Sequence, residues 1–349
     1  AAAFPRRPDY TGAAVIPGPW RVTLVTNPDD CNLHCRMCRG HSDLARPPRA
    51  GPPRRMDLDL VRRVLDERRG RGLAEVIPST MGEPLLWPDL DRLLALCAGR
   101  GVKVNLTTNG TFPGRGGAGW AERLCPVSSD VKVSWNGATA GTAESIMGGL
   151  HFDAALAGLR SFLSARDRLA GRDGWRCRVS FQVTAMEANV AELPGIVRLA
   201  ASLGVDRVKV NQVQVHFAEL AAESLRRAPE AVRRWNAAVG AARAAAQETR
   251  RPDGSPVELQ NLSELSAQGE PAPLGPCPFL GREAWVLVDG RFSPCPAPAA
   301  ADGRLGDFGS LRDRTLGEIW QGRPFRDLVA GWPEHPPCRE CSFRRPGGA

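Results

Sequence analysis

Hydrophobic positions along the chain follow two periods, one typical of strands and one typical of helices. Six short runs alternate apolar and polar residues: "RVTLVTN" (21–27), "EVIPST" (75–80), "VKVNLTTNG" (102–110), "DVKVSWNG" (130–137), "CRVSFQVTA" (177–185) and "DRVKVNQV" (206–213). Between them lie helical runs such as "LDRLLALCAGRG" and "ELPGIVRLAASLG", several of which end in glycine, a usual helix stop. This alternation predicts βαβ units and an α/β fold with a parallel sheet. Six units suit either an open barrel or a doubly wound sheet.

The predicted strands have one polar and one apolar face. In the third run, Lys103, Asn105, Thr107 and Asn109 alternate with valine, leucine and threonine. A parallel sheet covered by helices on both faces reads instead as continuous apolar runs. We therefore favour an incomplete barrel, apolar towards its helices and polar towards a lumen that holds a ligand. The alternative is that these polar residues only satisfy one another's hydrogen bonds.

The composition and the predicted elements of the chain change after the sixth strand. An alanine-rich helix (about 219–250) leads into a linker with a possible short strand, "VELQNL". From about 271 the chain is rich in Gly and Pro, with a hairpin expected to turn at Asp289-Gly290 and little core of its own. We expect four parts: an N-terminal extension (1–20), the partial barrel (21–218), a helix and linker (219–270) and a small metal-stapled domain (271–349).

Composition narrows the class of protein. The net charge of +8 comes almost wholly from arginine, since the chain holds only three lysines, Lys103, Lys132 and Lys209. The arginines are spread over helices rather than clustered with aromatic residues, which argues against nucleic acid as a partner. The chain has no run of 18 apolar residues, which a membrane-spanning helix would need, and the first residues lack a hydrophobic signal core. We therefore expect a cytoplasmic protein. In a reducing compartment, grouped cysteines bind metal or do redox work.

Seven of the ten cysteines fall into two groups. The first, "CNLHCRMC", has Cys31, Cys35 and Cys38 in a loop at the carboxyl end of the first strand, where parallel barrels place their chemistry. It suits either zinc with His34 as the fourth ligand, or a 4Fe–4S cluster with one iron left open for another ligand. The second group, Cys277, Cys295, Cys338 and Cys341, is a closed set of four that suits a cluster or zinc.

The first group, at this place in six βα units, resembles the radical S-adenosylmethionine (SAM) superfamily. The resemblance implies that the open iron binds the amino and carboxylate groups of SAM, and that reductive cleavage yields a radical that abstracts hydrogen from a substrate. "STMGEPLL" (79–86) resembles the family's Gly-Gly-Glu-Pro motif, with Met81 in place of the first glycine and Gly82 and Glu83 matching. The implied SAM contacts are Met37, Met81, Gly82, Glu83, Thr108, Asn109, Ser134, Asn136 and Gln182.

The second group resembles the "twitch" domain, a shortened SPASM domain, which implies one auxiliary 4Fe–4S cluster. Further stretches, among them "LTTNGTF" and "LGVDRVKVNQVQVHF", resemble twitch enzymes of aminoglycoside and aminocyclitol biosynthesis, namely dehydrogenases of the spectinomycin and hygromycin type and epimerases of the neomycin type. An epimerase needs a thiol at the barrel mouth, whereas Cys97, Cys125 and Cys177 are expected elsewhere. We therefore expect oxidation of a secondary alcohol to a ketone, with the auxiliary cluster accepting an electron.

Other readings stay open at this point. Epimerisation is one, and modification of a ribosomal peptide is another, although only about thirty residues precede Cys31, too few for a leader-binding domain. A zinc-stabilised nucleic-acid-binding protein is the non-enzyme alternative. The expected electron donor is a flavodoxin or ferredoxin. Candidate bases are His216, Lys209, Glu258 and Asp289, and Asn211, Gln212 and Gln214 are candidate substrate contacts; Glu258 and Asp307 are the acids considered for a cationic aminocyclitol.

Overall fold

The computed structural model describes residues 18–45, 51–67, 72–78, 81–174, 176–266 and 275–344. Most of the expected N-terminal extension lies outside the described residues. So do Ser79 and Thr80, which begin the "STMGEPLL" element, and the region around 271 where the small domain was expected to start.

The strands form one sheet of nine. They are β1 (Arg21–Leu24), β2 (Glu75–Pro78), β3 (Lys103–Thr108), β4 (Ser128–Ser134), β5 (Arg178–Ala185), β6 (Arg207–Gln212), β7 (Glu258–Gln260), β8 (Glu283–Val286) and β9 (Phe292–Ser293). Their order is β7-β6-β5-β4-β3-β2-β1-β8-β9, and every pair is parallel except β8–β9. In a doubly wound sheet the spatial order of the strands reverses at β1. Here the strands from β1 to β6 are neighbours in chain order. The partial-barrel prediction is confirmed.

Helices connect the strands and cover one face of the sheet. They are α1 (Leu58–Asp66), α2 (Leu90–Arg100), α3 (Gly116–Leu124), α4 (Ala140–Ile146), α5 (Phe152–Asp173), α6 (Leu193–Leu203), α7 (Pro229–Glu248), α8 (Pro298–Ala301), α9 (Leu316–Trp320), α10 (Arg323–Gly331) and α11 (Pro336–Arg339). As the glycine signals predicted, α2, α5 and α6 end at Gly101, Gly174 and Gly204 in the left-handed conformation. No helix in the described part of the chain is long and apolar enough to cross a membrane.

The two strand faces behave as the alternating pattern predicted. The apolar parity packs under the helices, and Val104, Leu106, Val131 and Val133 are fully buried there. On β5 the same apolar parity begins at Val179, which is also fully buried. Removing these side chains from water stabilises the fold by about 2 kcal/mol each, which is why the parity of every strand is strongly specified.

The lumen face is only partly free for a ligand. Near the amino ends of the strands, polar side chains bond one another; they are Arg21, Glu75, Asn105, Ser129, Asp130, Ser180 and Arg207. Two carboxylates anchor this network: Glu75 accepts from Arg21 at 2.6 Å, and Asp130 accepts from Ser180 at 2.8 Å. The expectation of a ligand-filled lumen is therefore wrong for this lower half, where buried charges pair with each other. The carboxyl half is different, as described below.

The C-terminal segment is better packed than the sequence suggested. The predicted hairpin forms from β8 and β9, with Gly290 in the left-handed conformation at its turn, and β8 extends the barrel sheet beside β1. Behind it, Phe292, Phe308, Phe325 and Trp320 pack ring against ring, with centroids 4.7 to 6.0 Å apart. The expectation of little core was wrong because these aromatic residues lie far apart along the chain and meet only in the fold.

Candidate functional site

The first cysteine group lies in the loop that follows β1, at the carboxyl edge of the sheet. Two backbone hydrogen bonds fasten this loop to the end of α4 and the turn after it: Arg36 N donates to Ile146 O, and His34 N donates to Gly148 O, both at 2.9 Å. The His34 ring lies 3.0 Å from Asp43. The structure therefore gives no support to His34 as a fourth zinc ligand.

The donor set suits a multi-iron cluster. Burial, followed by the neighbouring Cys38 and Cys31 thiols, raises the pKa of Cys35 to about 12, so three thiolates side by side require cationic partners. Within the described residues, no three His, Cys, Asp or Glu side chains are placed to share a single metal ion. A 4Fe–4S cluster does not require such a placement, because each thiolate binds a different iron.

The "MGEP" turn packs directly against the cysteine loop. Glu83 N donates to Asp30 O at 2.7 Å, and Asn27 Nδ2 donates to Glu83 O at 2.8 Å. Gly82 is required here, because a Cβ would lie 1.9 Å from Asn27 O and 2.6 Å from Asp30 O. The turn and the cysteine loop thus form one unit that only glycine permits.

The Glu83 carboxylate is used by the fold itself. It is 2% exposed and accepts hydrogen bonds from Thr108 Oγ1 at 2.8 Å, Asn109 N at 2.6 Å and Leu85 N at 3.1 Å. Burial raises its pKa to about 7 against these hydrogen bonds. Glu83 therefore ties the turn to the end of β3. A contact between the Glu83 carboxylate and the SAM ammonium stays a prediction.

Asn109 connects the end of β3 to the first cysteine group. Its Nδ2 donates to Asn32 at 2.8 Å and lies 3.9 Å from Cys31 Sγ. The two methionines also lie at this loop: Met37 packs against the core, and Met81 Cε faces Gly40, just beyond Cys38. The residues expected to contact SAM near the first cluster are therefore gathered at one place.

The remaining predicted SAM contacts lie across the barrel mouth. Asn136 is 2% exposed, and its Oδ1 accepts from Thr184 N at 2.8 Å, which locks β4 to β5. Ser134 and Gln182 are paired in the sheet register and half-buried on the lumen face. Their contact with SAM stays a prediction.

The second cysteine group assembles from three separated segments. Cys277 precedes β8, Cys295 follows β9, and Cys338 and Cys341 lie in and after α11. Burial, together with the thiols of the other three cysteines, raises the pKa of Cys295 to about 12. Mutual influence among all four thiols shows that the fold gathers them, so they can hold a closed cluster.

A cavity of about 600 Å³ lies between the barrel mouth and this second group. Its walls include Asn211, Gln212 and Gln214, at and just beyond the end of β6, which the sequence predicted as substrate contacts. His216, predicted as a base, also lines it. Cys341 of the second group also lines the cavity. Small-molecule and peptide sites commonly have this size, so this cavity is the candidate substrate site.

The four base candidates are not equivalent. His216 lies in the cavity wall, and partial burial, followed by the charge of Arg39, lowers its pKa below the ordinary value, which favours the neutral imidazole. Lys209 lies in the barrel lumen on β6. Glu258 pairs with Arg207 at the amino end of the lumen, away from the mouth.

Asp289 serves the hairpin turn. It bonds Arg291 at 2.8 Å, and although partial burial acts in the other direction, these hydrogen bonds hold the pKa of Asp289 below its ordinary value. The structure therefore gives it a turn-stabilising contact and makes it a weak base.

Sequence reasoning missed the charged residues of the cavity. Arg226, Arg304 and Glu340 line it, and Gln212 accepts from Arg226 Nε. Glu340 lies between two grouped cysteines, which is the one signal that pointed to it. Neither acid considered for a cationic substrate, Glu258 or Asp307, is among the lining residues.

The ungrouped cysteines are where the sequence placed them. Cys97, Cys125 and Cys177 are at most 1% exposed, and Cys125 lies beside Cys177, raising its pKa. Among the described residues that line the cavity, Cys341 is the only cysteine. Cys341 belongs to the second cysteine group, so none of these described lining residues is a spare thiol that could return a hydrogen.

Two family models match the segments that carry the two cysteine groups. Residues 28–168 match the radical SAM superfamily, and residues 277–342 match an iron-sulfur cluster-binding domain, SPASM. The chain is 29% identical over 337 residues to a "PqqA peptide cyclase" of Methylorubrum extorquens, covering 95% of this chain and 79% of that protein. A protein of the same name from Gluconobacter oxydans is 26% identical over 329 residues, covering 93% and 84%.

Solved structures show the same fold at low identity. Streptococcus suis SuiB bound to its precursor peptide SuiA aligns with a TM-score of 0.63 at 16% identity, over 89% of this chain and 66% of SuiB, so the chain spans about two thirds of SuiB's length. The protein anSMEcpe with bound AdoMet aligns with a TM-score of 0.61 at 15% identity, over 95% and 85%. Together with the two cysteine groups, the family matches show a radical SAM domain followed by a SPASM domain, and the cofactors of this pair of domains are SAM and two 4Fe–4S clusters.

Proposed function

We propose that this enzyme modifies a peptide, by oxidative bond formation within the peptide or oxidation of one of its side chains. The observation that carries the proposal is the similarity to PqqA peptide cyclases along nearly the whole chain. The expectation of an aminoglycoside or aminocyclitol substrate finds no support among these named relatives. Peptide modification, an alternative reading of the sequence, therefore takes its place.

The charge of the cavity supports a peptide over a cationic aminocyclitol. Arg226 and Arg304 line the cavity, whereas Glu340 is the one carboxylate among its described lining residues. An ammonium-rich ring would meet net positive charge there, while a peptide with acidic groups would gain charge-assisted hydrogen bonds. Val215, 45% exposed beside His216, adds an apolar contact that suits a side chain of a peptide.

Removal of two hydrogens from the peptide accounts for the placement of the two cysteine groups. When bound, SAM at the first cluster supplies a hydrogen-abstracting radical, and the second cluster supplies an acceptor for one electron. The remaining proton must pass to a base, and His216, which lines the cavity, is the base that we propose. Asn211 and Gln212 can orient the peptide backbone through their amide groups. A flavodoxin or ferredoxin as electron donor stays a prediction.

The test incubates anaerobically reconstituted enzyme with SAM, dithionite and the PqqA peptide, and follows peptide mass. We expect a loss of two mass units. Arg304→Glu should raise KM by at least tenfold, whereas Arg323→Glu, an equally drastic change on the exposed face of α10, should leave KM unchanged. The proposal fails if peptides stay unmodified while an aminocyclitol loses two mass units under the same conditions.

A further inference from the structure

An arginine at the end of the described chain joins the segments that carry the second cysteine group. Arg344 Nε donates to Gly275 O at 2.7 Å, two residues before Cys277. Its Nη1 donates to Cys338 O at 2.9 Å and to Arg339 O at 3.3 Å. One guanidinium therefore holds the segment before β8 against α11, and each of these segments contributes a cysteine to the group.

These contacts depend on the shape of arginine. The guanidinium is a planar fork whose nitrogens donate to several carbonyl groups at once, whereas a lysine ammonium is a compact charge on a flexible stem. Arg344 Cζ also lies 4.5 Å from the centroid of the Trp332 ring, which is a cation–π contact. The side chain is half-buried, so its positive charge is held in one place beside the cysteines.

No carboxylate of the described chain neutralises this charge. The acceptors that the structure describes for Arg344 are neutral carbonyl groups, and no described Asp or Glu side chain forms an ion pair with it. The nearby acid Glu334 pairs with Arg339 instead, at 3.1 Å. A half-buried cation without a counter-charge is costly to the fold. The positive charge of Arg344 therefore calls for an anion other than a carboxylate of the described residues.

The charge of Arg344 acts on the thiols of the second group. Burial raises the pKa of Cys277, and burial followed by the Cys277 and Cys341 thiols raises that of Cys338 to about 11. On both thiols Arg344 acts in the opposite direction, because a nearby cation favours the thiolate. Cysteine binds an iron–sulfur cluster as the thiolate. The ligand set of the second cluster is thus the anion that Arg344 faces.

We propose that Arg344 is a positioning residue that supplies the counter-charge of the second cluster and raises its reduction potential. Reduction adds one electron, no bond is made or broken, and the cluster with its thiolates becomes more negative by one charge. A fixed cation stabilises the more negative state, so Arg344 makes the second cluster a better electron acceptor. The proposal rests on the second cluster and not on the identity of the substrate; only its consequence for turnover rests on the proposed function.

A redox titration of the reconstituted holoenzyme, followed by electron paramagnetic resonance, measures this potential without any peptide. A parallel titration with SAM identifies the signal of the first cluster, where SAM binds. Arg344→Gln removes the charge, and the equilibrium constant for reducing its second cluster should fall about tenfold, which is about 59 mV for one electron. Arg344→Lys keeps the charge and should restore a potential close to that of wild type.

Arg339→Gln is the matched control, because Arg339 directly follows Cys338 but is exposed and paired with Glu334. Loss of this positive charge should change the same equilibrium constant by less than about twofold, since water and salt screen exposed charges. An unchanged potential in Arg344→Gln, or an equal decrease in Arg339→Gln, would overturn the proposal.

Iron content decides the case in which a variant does not hold the second cluster. If Arg344→Gln loses about half of roughly eight irons while Arg344→Lys retains them, the charge is needed to hold the cluster and the proposal is supported. Loss of the second cluster from both variants would overturn it, because the fork would then serve only the packing of the segment. If peptides are never modified but Arg344→Gln has the lower potential, the proposed function fails and the counter-charge role of Arg344 stands.

Discussion

Gly82→Ala tests whether the turn after β2 and the cysteine loop after β1 act as one unit. The added Cβ would lie 1.9 Å from Asn27 O, whereas an ordinary contact begins at 3.4 Å, so the two segments must separate by 1.5 Å. That displacement would stretch the 2.7 Å hydrogen bond from Glu83 N to Asp30 O to about 4 Å, beyond hydrogen-bonding distance. The bond from Asn27 to Glu83 O would be lost with it.

The expected cost follows from these contacts. Two buried hydrogen bonds contribute about 1 kcal/mol each, and the steric strain adds about 1 to 3 kcal/mol. We expect the free energy of unfolding to fall by about 3 to 5 kcal/mol. We also expect SAM affinity to fall by about 100-fold or more, because a displacement above 1 Å at a binding site has effects of that order.

The assays are denaturant unfolding, iron content and SAM binding, with two control variants. Gly117→Ala has a similar backbone collision, 1.8 Å from Gly158 O between α3 and α5, but lies away from the site. It should reduce stability while the folded fraction binds SAM normally. Gly99→Ala meets no atom within 4 Å in α2 and should stabilise the protein by up to about 1 kcal/mol. Wild-type SAM affinity and stability in Gly82→Ala would refute the reasoning.

Other substitutions test separate parts of the site. Lys209→Met should increase the free energy of unfolding at pH 7, because burial and neighbouring cations lower the Lys209 pKa to about 8 from 10.5, a difference worth about 3 kcal/mol. Since the pKa of Lys209 is lower in the folded state, the charged lysine destabilises the fold below pH 8, and this cost disappears as pH rises from 8 to 10.5. Urea titrations of wild type should show this increase in the free energy of unfolding, and those of Lys209→Met should not. Cys35→Ala should abolish SAM cleavage, measured as 5′-deoxyadenosine. Cys338→Ala should retain SAM cleavage but lose about half of roughly eight irons and stop net oxidation. Normal turnover in Cys338→Ala would exclude the electron-acceptor role of the second cluster. Glu83→Ala should destabilise the protein by about 2 to 3 kcal/mol, since Thr108 and two backbone N–H groups lose their acceptor, and unchanged thermal unfolding would contradict the positioning role.

Local patterns predicted the strands and helices and separated the cysteines into two groups. Alternation in runs such as 102–110 predicted the strands and their parity, because burying an apolar face depends mainly on the residues of that strand. The spacing of Cys31, Cys35 and Cys38 predicted a metal site in one loop, and the resemblance to radical SAM enzymes implied that this site holds a 4Fe–4S cluster. The closed set of Cys277, Cys295, Cys338 and Cys341 was also visible, because cysteine is uncommon and its grouping is readily seen.

The tertiary structure alone decided which polar residues are available to a ligand. Asn105 and Lys209 belong to the same polar parity, yet Asn105 bonds Glu75 while Lys209 has no partner among the described residues. The difference arises from strand register, which brings Glu75 next to β3 and places the neutral Gln182 and Gln260 beside Lys209. Likewise, Arg226 and Arg304 enter one cavity only because the C-terminal segment folds back over the barrel mouth. Burial is governed by local pattern, but the pairing of charges depends on residues distant in sequence, and here that pairing determines the chemistry of the site.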